Sequence, residues 1–256
     1  MQDFGFSCKM RQFFRLANMT SNKFTLELVE KYRLAPGVFH FIFKSPAVLN
    51  YKAGQFLSLH LTKDGKEYRR NYSIANFPGT DLVEIAVSYV PGGLATTVLD
   101  NLEPGAKVSA SGPYGIFVLP EKEHPQHYML IGTGTGITPY RAMLPIILQL
   151  LENGVHFSII AGARTRAEVL YSEDFLRINH PNYAYYTALS REDSTFADYE
   201  YLGYVQDKAL ELGINATTHV PYLCGNPNMV DVAYGLFIAE GLNKRAVKRE
   251  KYVTSR

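Results

Sequence analysis

Tyr128-Met129-Leu130-Ile131-Gly132-Thr133-Gly134-Thr135-Gly136-Ile137-Thr138-Pro139 is the stretch on which the reading of this chain turns. Four apolar residues suit a short strand, a glycine-rich turn follows, and Pro139 fits the first turn of a helix. Backbone amides at such a turn form an anion site for a phosphate or pyrophosphate. Glycines permit the close approach and the unusual torsions. The spacing is G-x-G-x-G, so this is not the Rossmann fingerprint. No Gly-Lys-Ser/Thr follows, so it is not a P-loop either. A glycine-rich turn that serves packing alone fits the same residues.

Downstream, short apolar strands alternate with helices, which predicts a parallel α/β sheet. Phe157 to Ala161, Tyr183 to Leu189 and Val220 to Leu223 read as further strands. Pro139 to Leu151, Ala167 to Ile178, Val205 to Leu212 and Met229 to Glu240 read as helices. Gly154, Gly213 and Gly241 stand where C-terminal caps belong.

Upstream the period is two. Phe24 to Val29, Val38 to Phe43, Phe56 to Leu61, Val83 to Tyr89 and Lys107 to Ser111 read as strands. Pro36-Gly37, Asp64-Gly65, Pro78-Gly79, Pro91-Gly92-Gly93 and Pro104-Gly105 punctuate them. Strands at this spacing predict an antiparallel sandwich or barrel over 23–120, with the α/β unit over 121–256. The polar stretch Glu121 to Gln126 marks the boundary.

The chain has 256 residues, enough for two cores. It is 46% hydrophobic and 20% charged, a globular composition, and its net charge of +2 is too small to argue for nucleic acid. Nothing approaches the roughly 18 apolar residues of a membrane span. Cys8 and Cys224 make no disulfide framework and no four-cysteine iron–sulfur cluster within this chain, which points to a reducing cytoplasm. Residues 1–22 read as an extension. Lys9, Arg11 and Arg15 against Asp3 fit a transit peptide, while a start at Met19 or a disordered arm fits better. His124 and His127 read as loop residues, His40 and His60 as ordinary strand positions. No metal site is expected.

Other segments carry chemistry. Arg70 and Tyr72, two apart on a strand, share a face, so a guanidinium can pair with phosphate while a ring stacks on a flat heterocycle. Ser73 then serves that heterocycle's edge. An ordinary half-exposed strand also accounts for these residues. Pro91 to Leu99 offers a second phosphate cradle, and a capped turn explains it nearly as well. Cys224-Gly225-Asn226-Pro227-Asn228-Met229 follows a parallel strand, at the edge where ligands of open α/β sheets gather. A lone cysteine there is more often a small buried hydrophobe.

In this order and in these two halves, the pieces resemble the ferredoxin–NADP reductase superfamily, and within it the bacterial ferredoxin/flavodoxin–NADP reductases. The resemblance covers about residues 23–256. Arg70-x-Tyr72-Ser73 is similar to the family's flavin motif and Gly93-x-x-Thr96 to its FAD pyrophosphate motif. Gly112-Pro113-Tyr114-Gly115-x-Phe117 resembles the end of its barrel. Gly132 to Pro139 resembles its pyridine-nucleotide loop, and Cys224 to Met229 its nicotinamide-side motif. Ser190-Arg191-Glu192, Tyr204-x-Gln206 and Arg164 resemble its NADP-selecting positions.

The resemblance implies a Greek-key FAD barrel followed by an NADP-binding α/β domain. FAD would be held by Arg70, Asn71, Tyr72, Ser73, Val87, Tyr89, Gly92, Gly93, Leu94, Ala95 and Thr96. The pyrophosphate of NADP would meet Thr133, Gly134, Thr135, Gly136 and Thr138. Its adenosine 2′-phosphate end would meet Arg164, Ser190, Arg191, Tyr204 and Gln206. Its nicotinamide end would meet Cys224, Gly225, Asn226 and Met229. Ser73, Cys224 and Tyr252 are the implied catalytic residues. Plant-type members end on an aromatic that covers the flavin, whereas Tyr252 is followed here by Val253-Thr254-Ser255-Arg256. The implied activity is electron transfer between NADPH and ferredoxin or flavodoxin by a monomer. An oxygenase reductase component, an NAD(P)H:flavin reductase and a non-catalytic regulatory subunit are the alternatives.

Overall fold

A computed structural model describes residues 23–252. The expectations for residues 1–22 and for the tail Val253–Arg256 lie outside the described residues.

The first sheet holds β1 (Lys23–Ala35), β2 (Val38–Lys44), β3 (Phe56–Lys63), β4 (Lys66–Ser73), β5 (Leu82–Ser88) and β6 (Lys107–Tyr114), with helix α1 (Leu94–Asp100) between the last two. It is antiparallel, in the order β4-β3-β6-β1-β2-β5. A bridge between Ile74 and Ile85 joins the two edges and closes the barrel. The return of β6 beside β3 makes the connection a Greek key. β4 is a strand that alternation alone did not bring out, because KEYRRNYS is almost wholly polar. Its hairpin with β3 turns on Asp64 and Gly65, both at positive φ (52° and 74°), as a two-residue type I′ turn requires. Leu26, Leu28, Phe41, Phe43, Leu57, Leu59, Ile85 and Val108 fill the barrel, and α1 packs on them through Leu94, Val98 and Leu99. Each fully buried Leu or Phe contributes roughly 1.5–3 kcal/mol.

The second sheet is parallel. Its strands are β7 (His127–Thr133), β8 (His156–Ala163), β9 (Tyr183–Leu189), β10 (Glu200–Leu202), β11 (His219–Gly225) and β12 (Lys248–Lys251). Helices α2 (Thr138–Glu152), α3 (Ser172–Leu176), α4 (Val205–Glu211) and α5 (Pro227–Ala239) cover it. The order β10-β9-β8-β7-β11-β12 starts at β7, runs outward to β10, then jumps back to β11 on the other side. The strand order therefore reverses between β7 and β11, and the crevice at their carboxyl ends is the place where such sheets bind ligands.

Three expectations need correction. The helix over 167–178 is instead a 3-10 turn at Arg166–Glu168 and the five-residue α3. Tyr171 breaks it with a left-handed backbone (φ 56°), because its side chain is drawn into the domain junction. His127 is not a loop residue but opens β7, and its Nε2 pairs with Ser158 Oγ at 2.8 Å. His40 is more than a barrel position: it is fully buried and its Nδ1 pairs with the Tyr171 hydroxyl at 2.8 Å, across the junction.

Arg141 of α2 fastens the same junction. It donates to Glu84 of β5 at 2.7 Å, to the Ala75 carbonyl at 3.0 Å and to Asp174 of α3 at 2.7 Å. Phe117 packs between Tyr140 and Tyr222 at the barrel's end. These contacts hold the open mouth of the barrel against the carboxyl edge of the parallel sheet.

Candidate functional site

A cleft of about 1320 Å³ runs along that junction. Sites for one drug-sized ligand span roughly 300–1,000 Å³, so this one has room for two.

The barrel side is lined by Phe56, Arg70, Asn71, Tyr72, Ser73, Ala86, Ser88, Tyr89 and the segment Gly93–Thr96. Tyr72 packs against the barrel core, and burial pushes its hydroxyl up to about 12. Arg70 donates to the Arg69 carbonyl at 2.8 Å and has no acidic partner among the described residues. Thr96 Oγ1 accepts from Val90 N at 3.1 Å and shapes the turn into α1. Two sequence candidates stand off this wall. Val87 faces the barrel core, because the period of two turns Ala86 and Ser88 to the cleft instead. Gly92 shapes the turn but does not line the cleft.

The opposite side is lined by Thr133, Gly134, Thr135 and Thr138, then by Arg164, Glu168, Ser190, Tyr204 and Gln206, and by Gly225, Asn226 and Met229. Gly136 lies beneath this surface. A Cβ on it would collide with the Cys224 carbonyl, and one on Gly225 (φ +122°) would stand 2.6 Å from the Thr133 carbonyl. Both glycines therefore let the loops after β7 and β11 touch, and Asn226 N donates to Thr133 Oγ1 at 3.0 Å across the contact. Asn226 spends its side-chain oxygen capping α5, accepting from Asn228 N and Met229 N. Arg191 is exposed just beyond β9 and does not line the cleft. Its backbone N donates to the Arg164 carbonyl at 2.8 Å.

Both walls meet at one end. Ser73 Oγ lies 2.5 Å from the Tyr252 hydroxyl and 3.5 Å from Glu250 Oε1. Tyr252 N donates to the Gly225 carbonyl at 2.8 Å, and the Tyr252 hydroxyl neighbours the Cys224 thiol. Cys224 is fully buried. Burial and the nearby Glu250 push its thiol well up, so it stays protonated at neutral pH. Burial raises the Glu250 carboxyl above its usual range as well, while Ser73 opposes the shift.

Glu250, Glu168 and Ser88 line the cleft and were not among the candidates. Glu250 had a signal: it stands two residues before Tyr252 at the end of an extended segment, and so on the same face.

The surface fits two dinucleotides. The turn after β7 and the first turn of α2 offer backbone amides to diphosphates. Tyr89 and Tyr204, 44% and 60% exposed, present rings that flat heterocycles can cover. Arg70 offers a guanidinium with no acidic partner among the described residues.

Comparison with known proteins agrees with this layout. Residues 25–119 match the family described as oxidoreductase FAD-binding domain, and residues 130–234 match the oxidoreductase NAD-binding domain. Ferredoxin–NADP reductase B of Sorangium cellulosum is 33% identical over 79% of this chain and 85% of its own length. The reductase component DmpP of phenol 2-monooxygenase from a Pseudomonas species is 32% identical, over 89% of this chain and 67% of its own. The propane 2-monooxygenase reductase component of Mycolicibacterium goodii is 30% identical, and the chain spans 61% of its length. Among solved structures, the cytochrome P450 reductase GcoB of Amycolatopsis superposes with a TM-score of 0.80 at 29% identity, covering 90% of this chain and 69% of that one. A ferredoxin NADP+ reductase from Neisseria gonorrhoeae with bound FAD and NADP shares the fold, with a TM-score of 0.77 at 16% identity over 90% of this chain and 98% of that one. This chain belongs to the ferredoxin–NADP reductase superfamily, as an oxidoreductase with an FAD-binding and an NAD(P)-binding domain.

Proposed function

We propose that the protein moves electrons between NADPH and a small carrier protein, ferredoxin or flavodoxin. The observation that carries this reading is the meeting of Ser73, Cys224 and Tyr252 at the point where the two walls of the cleft converge. Bound FAD would supply the chemistry, taking hydride at N5 and releasing electrons singly.

The chain's own residues bind, orient and exclude water. Arg70, Tyr72 and the Gly93–Thr96 turn hold FAD on the barrel. Thr133 to Thr138 hold the nucleotide pyrophosphate. Ser190 and Arg164 face the 2′-phosphate, Arg191 reaches toward it from the exposed loop just beyond β9, and Tyr204 stacks on the adenine. Ser73 and Tyr252 close the reaction end, and the protonated Cys224 thiol, buried beneath the cleft surface, positions Tyr252 there. Glu250, kept toward its protonated form by burial, can exchange a proton with Ser73.

A second reading is supported by the likeness to the phenol 2-monooxygenase reductase component: delivery of electrons to an oxygenase. One experiment addresses both readings. The purified protein should carry FAD, and NADPH should drive ferricyanide reduction. Ferredoxins and flavodoxins of the host should then compete as acceptors with its oxygenase components. Reduction of an oxygenase component in preference to every carrier would select the second reading. No NADPH-dependent reduction of any acceptor would reject both.

A further inference from the structure

The loops after β8 and β9 run side by side at the adenosine end of the cleft. Ser190 N donates to the Ala163 carbonyl at 3.1 Å, next to the Arg191–Arg164 backbone bond. Arg164 is already engaged there. Its Nη2 and Nε donate to the two carboxylate oxygens of Glu168 at 2.6 and 3.0 Å, and its backbone N donates to Glu168 at 3.2 Å. A phosphate would take this same two-pronged geometry from the guanidinium. Glu168 lines the cleft beside Arg164 and Ser190. The next arginine, Arg166, is turned to Glu192 and Glu200.

We infer that Glu168 is a specificity-determining residue whose carboxylate competes with the nucleotide 2′-phosphate for Arg164. The inference deepens the function proposed above and rests on that nucleotide site. NADH, with a bare 2′-hydroxyl, binds with the Arg164–Glu168 pair intact. NADPH must displace the carboxylate or bear its charge beside a phosphate dianion. Arg164 is 59% exposed and Glu168 21% exposed at the side chain, and solvated pairs of this kind are weak. The carboxylate therefore narrows the preference for NADPH without abolishing it, by about fivefold.

Calorimetric titration of the purified flavoprotein with adenosine 2′,5′-bisphosphate and with AMP tests the inference without turnover. Glu168→Gln should raise affinity for the bisphosphate by up to about fivefold and leave AMP affinity unchanged. Glu168→Ala should act in the same direction, which covers any local repair by the glutamine. In an Arg164→Ala background most of the gain should vanish. The NADPH-to-NADH ratio of kcat/KM should follow the bisphosphate. Equal gains for both probes, no gain, or a full gain without Arg164 would overturn the inference while leaving the nucleotide site in place. Failure of either probe to bind the unaltered protein would remove the site itself, and the inference with it.

Discussion

The hydroxyls of Ser73 and Tyr252 lie 2.5 Å apart, although 179 positions separate them in the chain. One ends β4 of the barrel and the other follows the edge strand of the parallel sheet, so this bond joins the two halves at the reaction end. Cys224 lies beside Tyr252 at the same place. Ser73→Ala and Tyr252→Phe should therefore be coupled. A double-mutant cycle on the rate of flavin reduction should give about 0.5–3 kcal/mol of interaction. Strictly additive losses would show two independent residues. Cys224→Ser should slow flavin reduction more than it weakens NADPH binding, because the buried thiol acts on the position of Tyr252 rather than on the nucleotide directly. Stopped-flow reduction at several NADPH concentrations separates the two effects.

Tyr72→Ala should weaken FAD retention without unfolding the chain. A stacked ring contributes about 0.5–1.5 kcal/mol beyond the area it buries. Flavin release during gel filtration, compared with the thermal transition of the same sample, is the measurement. Unchanged retention and an unchanged visible spectrum would return Tyr72 to being a strand residue.

Carrier docking should depend on positive charge near β12. Lys251 is paired with Asp231 at 2.6 Å and Arg249 lies over the Tyr234 ring, whereas Lys244 and Lys248 are exposed without an acidic partner among the described residues. Complementary charge acts chiefly on the association rate and is screened by salt. Changing Lys244 and Lys248 to Glu should slow carrier reduction, most at low salt, and leave ferricyanide reduction unchanged. Equal losses with both acceptors would remove docking as the explanation.

His127 should make the second domain acid-sensitive. Burial, together with His219 and His156, lowers its pKa from the ordinary 6.5 to about 4. Above pH 6.5 neither the folded nor the unfolded chain binds a proton there. Between pH 6.5 and 4 the unfolded chain binds more, so stability falls as the pH drops through that window. His127→Gln should shrink this fall in a series of denaturation midpoints. The same slope with and without His127 would assign the acid sensitivity elsewhere.

Much of this architecture was legible in the sequence, because the glycine-rich turn after Ile131 and the change of period from two to 3.6 are local signals. The polar strand KREK of β12 was not, because it owes its state to hydrogen-bonding neighbours rather than to alternation. Around Arg70 and Tyr72 a strand was legible, but the full extent of β4, KEYRRNYS, was not. The junction was also hidden, since a Tyr171 in left-handed backbone looks like any helical residue until His40 and Arg141 stand beside it. At the candidate site, motifs brought out Ser73 and Cys224. The role of Glu168 needed geometry, because only the folded loop shows that it already holds Arg164.

In the function proposed here, NADPH would deliver hydride to FAD at the end of the cleft closed by Ser73 and Tyr252 over Cys224, with the 2′-phosphate selecting the nucleotide. Anaerobic stopped-flow reduction of the flavin by NADPH deuterated at nicotinamide C4 tests it most directly. Flavin absorbance should be lost with a primary isotope effect for one of the two C4 positions. The second-order rate for NADPH should fall by about tenfold or more in Arg191→Ala, since bonds to charged groups contribute roughly 1.5–3 kcal/mol, with little change for NADH. A flavin that stays oxidised with NADPH, or equal losses with both nucleotides in Arg191→Ala, would contradict it.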